Sequence, residues 1–158
     1  TDDGRHLAAT VDTHLVARLD RDLDPLDAGQ RDDALRRARR IHRLQPDYYP
    51  AQRIEAEVLL QQAPDQAFNV LRDMSDQYPE DPHVFALLAE AAGRSGRDLW
   101  GMLARAEHLQ LTGHIDRAIK QIDIAEQTAR DRGDFAMASR LGERRQAYLG
   151  YRQTLRNF

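Results

Sequence analysis

Helix-breaking residues punctuate this sequence at intervals of one helix. Pro25 to Gly29, Pro46 to Pro50, Gln62 to Asp65, Pro79 to Pro82, Gly93 to Asp98, Thr112 to Gly113 and Arg132 to Asp134 separate segments of about 12–18 residues. Within the segments, apolar residues recur three and four apart, the spacing of one face of an amphipathic helix. Asp65, Asp81 and Asp134 stand where N-caps belong, and Pro82 follows its Asp at a first helical position. The spacing predicts about eight helices joined by loops of about two to six residues, and connections that short make neighbours antiparallel. Residue usage agrees, because Ala, Leu, Arg, Gln and Glu dominate and strand formers are sparse. The expected class is all-α.

The segments also repeat. Aligning Gly29 to Ala34 on Gln62 to Ala67 matches Ala34, Ala38, Ile41 and Pro46 with Ala67, Leu71, Met74 and Pro79, an offset of 33 residues. Gly113, Ala118, Ile122 and Ala125 keep the same internal spacing. First helices match more loosely: Phe85, Leu88, Ala89, Ala92 and Gly96 in one pair, Met102, Ala106, Leu109 and Gly113 in another. Two helices approach closely only where crossing side chains are small, and a tight turn between them needs a residue tolerant of unusual φ. A unit of about 34 residues with a turn Gly, a small residue early in its second helix and a closing Pro resembles the tetratricopeptide repeat. The expected architecture is therefore a tetratricopeptide-type α-solenoid of about four helical hairpins. Residues 1–28 form an N-terminal helix, cap or linker, 29–133 hold the repeats, and 134–158 form a C-terminal capping helix. That last segment carries one stripe, Phe135, Ala138, Leu141, Arg145, Tyr148, Arg152 and Leu155, as a terminal helix covering the last repeat should. Three positions depart from the repeat pattern: Arg105 stands where Leu is usual, Pro25 interrupts the first pair, and Gly101 lies near the small-residue position of the third pair.

Composition excludes several function classes. The chain of 158 residues is long enough for one ordinary core, and its 41% hydrophobic content separates it from disordered sequences. The formal charge of −3, with both signs interleaved, argues against a dedicated nucleic-acid or anionic-membrane surface. No apolar run approaches the roughly 20 residues that span a bilayer. Without cysteine there is no disulfide or thiolate chemistry, which leaves the compartment open. A start at Thr1, with neither initiator Met nor signal peptide, reads as an excised or processed piece.

A narrower resemblance rests on particular residues. The run Leu87 to Ala92 (LLAEAA), then Ala104 to Glu107 (ARAE), Gly113, Ala118-Ile119 and the stretch Ser139 to Tyr148 is similar to the C-terminal tetratricopeptide domain of bacterial periplasmic zinc metalloproteases of the BepA type. The resemblance covers roughly residues 45–150 and is densest over 85–141. It implies a non-catalytic, periplasmic domain that binds protein partners at the outer membrane, including the β-barrel assembly machinery and assembling barrel proteins. In that family a separate domain carries an HExxH zinc site. The present sequence contains no HExxH, so no cofactor is expected within it.

Other chemistry finds little support. Asp20, Asp22, Asp24 and Asp27 suggest a calcium loop, but Pro25 stands where Gly is needed and Arg31 where Glu is needed. The six histidines, His6, His14, His42, His83, His108 and His114, lack zinc-ligand spacing; only Glu107-His108 and His114 come close, on diverging helices. Arg36, Arg37, Arg39, Arg40 and Arg43 form the one basic cluster, with Asp32 and Asp33 a turn earlier to pair with them and no aromatics to stack bases. No Ser–His–Asp set or phosphate loop is visible. In the repeat register the concave wall takes Tyr49, Gln52, His83, Glu90, Trp100, Leu103, Glu107 and Gln110, with Ala56, Leu59, Ala86 and Gly93 between them. Aromatics mixed with carboxylates suit an amphipathic or extended peptide bearing a cationic group, with Trp100 as anchor. The rival readings are a free-standing adaptor, an enzyme with a cryptic helical site, and nucleic-acid binding through the Arg cluster. A signal peptide and HExxH upstream of Thr1 would favour the protease, and their absence the adaptor.

Overall fold

The computed structural model describes residues 27–158. Expectations for the segment before them (the N-terminal helix or cap, the Asp20 to Asp24 loop, Pro25, His6 and His14) lie outside the described residues. Those residues form seven helices and no strand: α1 (Ala28–Leu44), α2 (Tyr49–Gln62), α3 (Pro64–Gln77), α4 (Pro82–Arg94), α5 (Asp98–Leu111), α6 (Ile115–Asp131) and α7 (Phe135–Arg156). The chain is all-α, and none of these helices is long and apolar enough to cross a membrane. It divides into two compact units between Val70 and Leu71.

In the first unit, α1 opens on a reciprocal cap. Asp27 Oδ1 accepts from Gln30 N at 2.8 Å while Gln30 Oε1 accepts from Asp27 N at 3.0 Å, which satisfies two orphan donors. Gly29, expected in a break, lies inside the first turn. Ala34, Ala38 and Ile41 bury one stripe of α1 against Ala51, Ile54 and Val58 of α2. The two alanines are almost fully buried, so the helices meet where side chains are smallest. Asp33 pairs with both Arg36 and Arg37, at 3.4 and 2.7 Å, but Asp32 does not join them. It accepts instead from Gln62 Nε2 at 3.1 Å. Arg39 turns to buried Glu55 at 3.2 Å, whose other oxygen lies 3.0 Å from His42 Nδ1. The basic cluster is thus partly consumed in structural pairs.

The helix α3 begins at Pro64, so Asp65 sits within its first turn and not at the cap position expected for it. The lone break is Ala63, because Pro supplies a ready first helical residue.

In the second unit, each of α4 to α6 packs against its successor, and α5 also touches α7. Three of its turns share one geometry. Arg97 N bonds to Ala92 O, His114 N to Leu109 O and Asp134 N to Ala129 O, at 2.8 to 2.9 Å, each closing over a glycine. Gly96, Gly113 and Gly133 hold φ of +71°, +86° and +72°, the left-handed C′ position of a Schellman turn, which side-chain-bearing residues adopt only with strain. The other kind of turn recurs with the sequence offset. Tyr48 N bonds to Gln45 O and Asp81 N to Tyr78 O, both at 3.1 Å, with Pro46 and Pro79 at the second turn position. Asp81 and Asp134 cap their helices as expected, accepting from His83 N at 2.9 Å and Met137 N at 3.0 Å.

Ala106 of α5, Ala118 and Ala125 of α6 and Ala138 of α7 all lie in the core of this unit. The helix α5 is shared between two pairs. The sequence pairs α4 with α5 across Gly96 and α5 with α6 across Gly113, which makes α5 the second helix of one pair and the first of the next. In the structure α5 packs on both neighbours, so both turns are used and the pairs overlap. Gly101 is buried at the α4 contact, where a Cβ would lie 3.6 Å from Ala89 O and 3.7 Å from Ala92 Cβ. On α7 the expected stripe holds only in its middle. Ala138, Leu141 and Tyr148 are buried, whereas Phe135 and Leu155 are exposed. Arg145 pairs with Asp123, and Arg152 with Asp116 at 3.3 Å, so charges instead of apolar contacts tie the flank of α7 to α6.

Candidate functional site

Four elements of the second unit enclose a cavity of about 190 Å³. Trp100, Leu103, Ala104 and Glu107 of α5 follow the i, i+3, i+4, i+7 spacing that puts them on one face of a helix. Phe85 and Leu88 of α4 supply a second apolar wall, Ser75, Asp76 and Pro79 a third side, and Arg140 and Arg144, one turn apart on α7, the fourth.

Glu107 would be costly here by itself, since it is only 5% exposed. Arg144 answers it in a bidentate pair: Nε donates to Glu107 Oε1, and Nη2 donates to Oε2 at 3.0 Å. The hydrogen bond to Glu107 holds the Arg144 guanidinium above its ordinary pKa, against the opposing effect of burial. Next on α7, Tyr148 is fully buried, with its ring 5.4 Å from the Arg144 guanidinium. Burial pushes its hydroxyl far above the usual tyrosine range, and the Glu107 carboxylate adds to that. Among the described residues no hydrogen bond of ordinary geometry reaches the hydroxyl, although the Glu107 carboxylate and Arg144 are its polar neighbours. Arg140 is exposed and lies over the Trp100 ring at 4.6 Å, a cation–π contact that covers one face of the indole.

Of the wall expected from the sequence, the structure brings Trp100, Leu103 and Glu107 to this cavity. His83, Glu90 and Gln110 do not line it; His83 and Glu90 are exposed, and Glu90 pairs with Arg94 at 2.7 Å. Tyr49 and Gln52 belong to the first unit, and Gln52 is buried with Nε2 donating to Pro46 O at 2.8 Å, a structural role. Sequence reasoning missed Arg140 and Arg144 as cavity residues. The available signal was Glu107 itself, a carboxylate in an apolar stripe, which demands a cation from some neighbouring helix.

His108 Nδ1 lies 2.9 Å from Pro82 O, where it joins α5 to the start of α4. Among the described residues no three His, Asp or Glu side chains converge as metal ligands would. The cavity is smaller than the roughly 300–1,000 Å³ typical of small-molecule sites, and its size suits a single inserted side chain. No protein-family model matches the chain, and a search of curated proteins finds no match.

Proposed function

We propose that this chain is a non-catalytic protein-binding array of the tetratricopeptide kind, and that it recruits partners for a periplasmic zinc metalloprotease in outer-membrane protein quality control. Several features support the array: successive helices packing on their neighbours, small residues buried at each contact, and turns that recur with the repeat. The setting rests on the resemblance over residues 85–141. In this reading a client docks on the second unit and is held there while a separate domain, outside this sequence, cuts it.

The observation that carries a binding role is the cavity at Trp100. A large aromatic side chain stands half-buried at the edge of an apolar hollow, the arrangement typical of binding hot spots. The test is retention of an outer-membrane barrel protein, diluted from urea, on immobilised chain. Trp100→Ala should lose the client, whereas Glu90→Ala, outside the cavity, should keep it. Equal retention by both variants would refute the assignment.

A further inference from the structure

We propose that the cavity seats one large apolar side chain of a peptide whose adjacent residue presents a carboxylate to Arg140 and Arg144. This rests on the protein-binding reading above and adds to it the sign of the partner's charge, which is the opposite of what the sequence suggests. The sequence offers Glu90 and Glu107 to a cationic partner. In the structure Glu90 lies outside the cavity, and both oxygens of Glu107 are taken by Arg144. The carboxylate that pointed to a cation is already spent.

The donors are not. A guanidinium carries five N–H groups, and the hydrogen bonds of Arg144 among the described residues, both to Glu107, use only Nε and Nη2. Arg140 makes no ion pair or hydrogen bond among the described residues; its one contact of that kind is the face of Trp100. A guanidinium lying over an aromatic ring keeps its N–H edge open to a planar acceptor, which matches the fork of a carboxylate. Of the two acids in the lining, Glu107 is taken by Arg144, and Asp76, at the last turn of α3, has no ion pair among the described residues. Once the Glu107–Arg144 pair cancels, Arg140 and Asp76 remain, and the lining carries no net charge. But Arg140 lies on the Trp100 ring at 4.6 Å, so a side chain seated against Trp100 brings its neighbouring residue to that guanidinium, which favours an acceptor-bearing ligand.

The experiment uses the full chain, isotope-labelled, and three blocked peptides: acetyl-Gly-Asp-Phe-Asp-Gly-amide and its counterparts with Asn or Lys in place of Asp. Shifts of the Trp100 indole and of backbone amides near the cavity report binding. The Asp peptide should bind about fivefold tighter than the Asn peptide at low salt, the gain of one partly exposed ion pair, and the Lys peptide weakest. Arg140→Gln should remove the preference for Asp and leave the Asn peptide within about twofold; Arg140→Lys should retain part of it. Asp76→Asn should tighten the Asp peptide or leave it unchanged. Equal binding of all three peptides at the cavity, or tightest binding of the Lys peptide, would overturn the charge assignment and leave the protein-binding reading standing. Absence of shifts at the cavity with every peptide would overturn both.

Discussion

The Glu107–Arg144 pair should respond unequally to loss of its two members. Replacing Arg144 by Met preserves most of the side-chain volume and leaves a carboxylate that is 5% exposed with no counter-charge. Stranding a buried charge costs about 3–5 kcal/mol, and the penalty here should approach the lower end because water can enter through the cavity. Replacing Glu107 by Gln strands Arg144 instead, but that side chain is 36% exposed and can swing its guanidinium to solvent. Its cost should be only about 1 kcal/mol, that of one weakened hydrogen-bond set. The double variant should cost less than the sum of the singles, with a coupling of roughly 1–2 kcal/mol. Urea denaturation followed by far-ultraviolet circular dichroism and by tryptophan emission would measure all three. Trp100 is the only tryptophan and lies in the cavity, so its emission reports the unit in question. At about 2–4 °C per kcal/mol for a chain of this size, Arg144→Met should lower the melting temperature by roughly 6–12 °C and Glu107→Gln by about 2–4 °C. Equal losses for the two single variants, or additive losses in the double variant, would refute the asymmetry.

The glycines should separate by backbone geometry: Gly93→Ala, in an exposed helix position with nothing near a new Cβ, should stabilise by about 0.5–1 kcal/mol. Gly113→Ala, at φ +86°, should destabilise by roughly 1–2 kcal/mol in the same urea titration. Ala118→Leu, at a fully buried helix crossing, should cost about 1–3 kcal/mol through overpacking; unchanged stability would mean that α5 and α6 do not meet there. Tyr148 makes the alkaline limb of stability informative. Its folded pKa is raised, so its neutral form contributes fully below the unfolded value of about 10, and stability then falls as pH rises further, by about 1.4 kcal/mol per unit. Tyr148→Phe should flatten that limb between about pH 10 and 11 and cost little at neutral pH, because the hydroxyl it removes has no hydrogen bond of ordinary geometry among the described residues.

What could be read in the sequence was whatever short-range chemistry decides. Gly96, Gly113 and Gly133 announce turns because their backbone geometry excludes other residues, and Asp81 and Asp134 announce helix starts because a carboxylate satisfies orphan donors within three residues. Ala34, Ala67 and Ala118 are each almost fully buried, as the small positions of the repeat should be. The site was only half legible, for a related reason. Trp100, Leu103 and Glu107 share one face of one helix, so periodicity alone groups them, whereas Arg140 and Arg144 reach the cavity only through the packing of α7 across from α5. Periodicity says which residues face together and is silent on what they face. Glu107 shows the consequence: read along its own helix it is a carboxylate awaiting a cationic ligand, and read across the fold it is already neutralised. The charge proposed for the partner therefore follows from the group that internal pairing leaves beside Trp100. In this cavity that group is Arg140, a residue 33 positions beyond Glu107, whose guanidinium lies on the Trp100 ring with no counter-ion among the described residues.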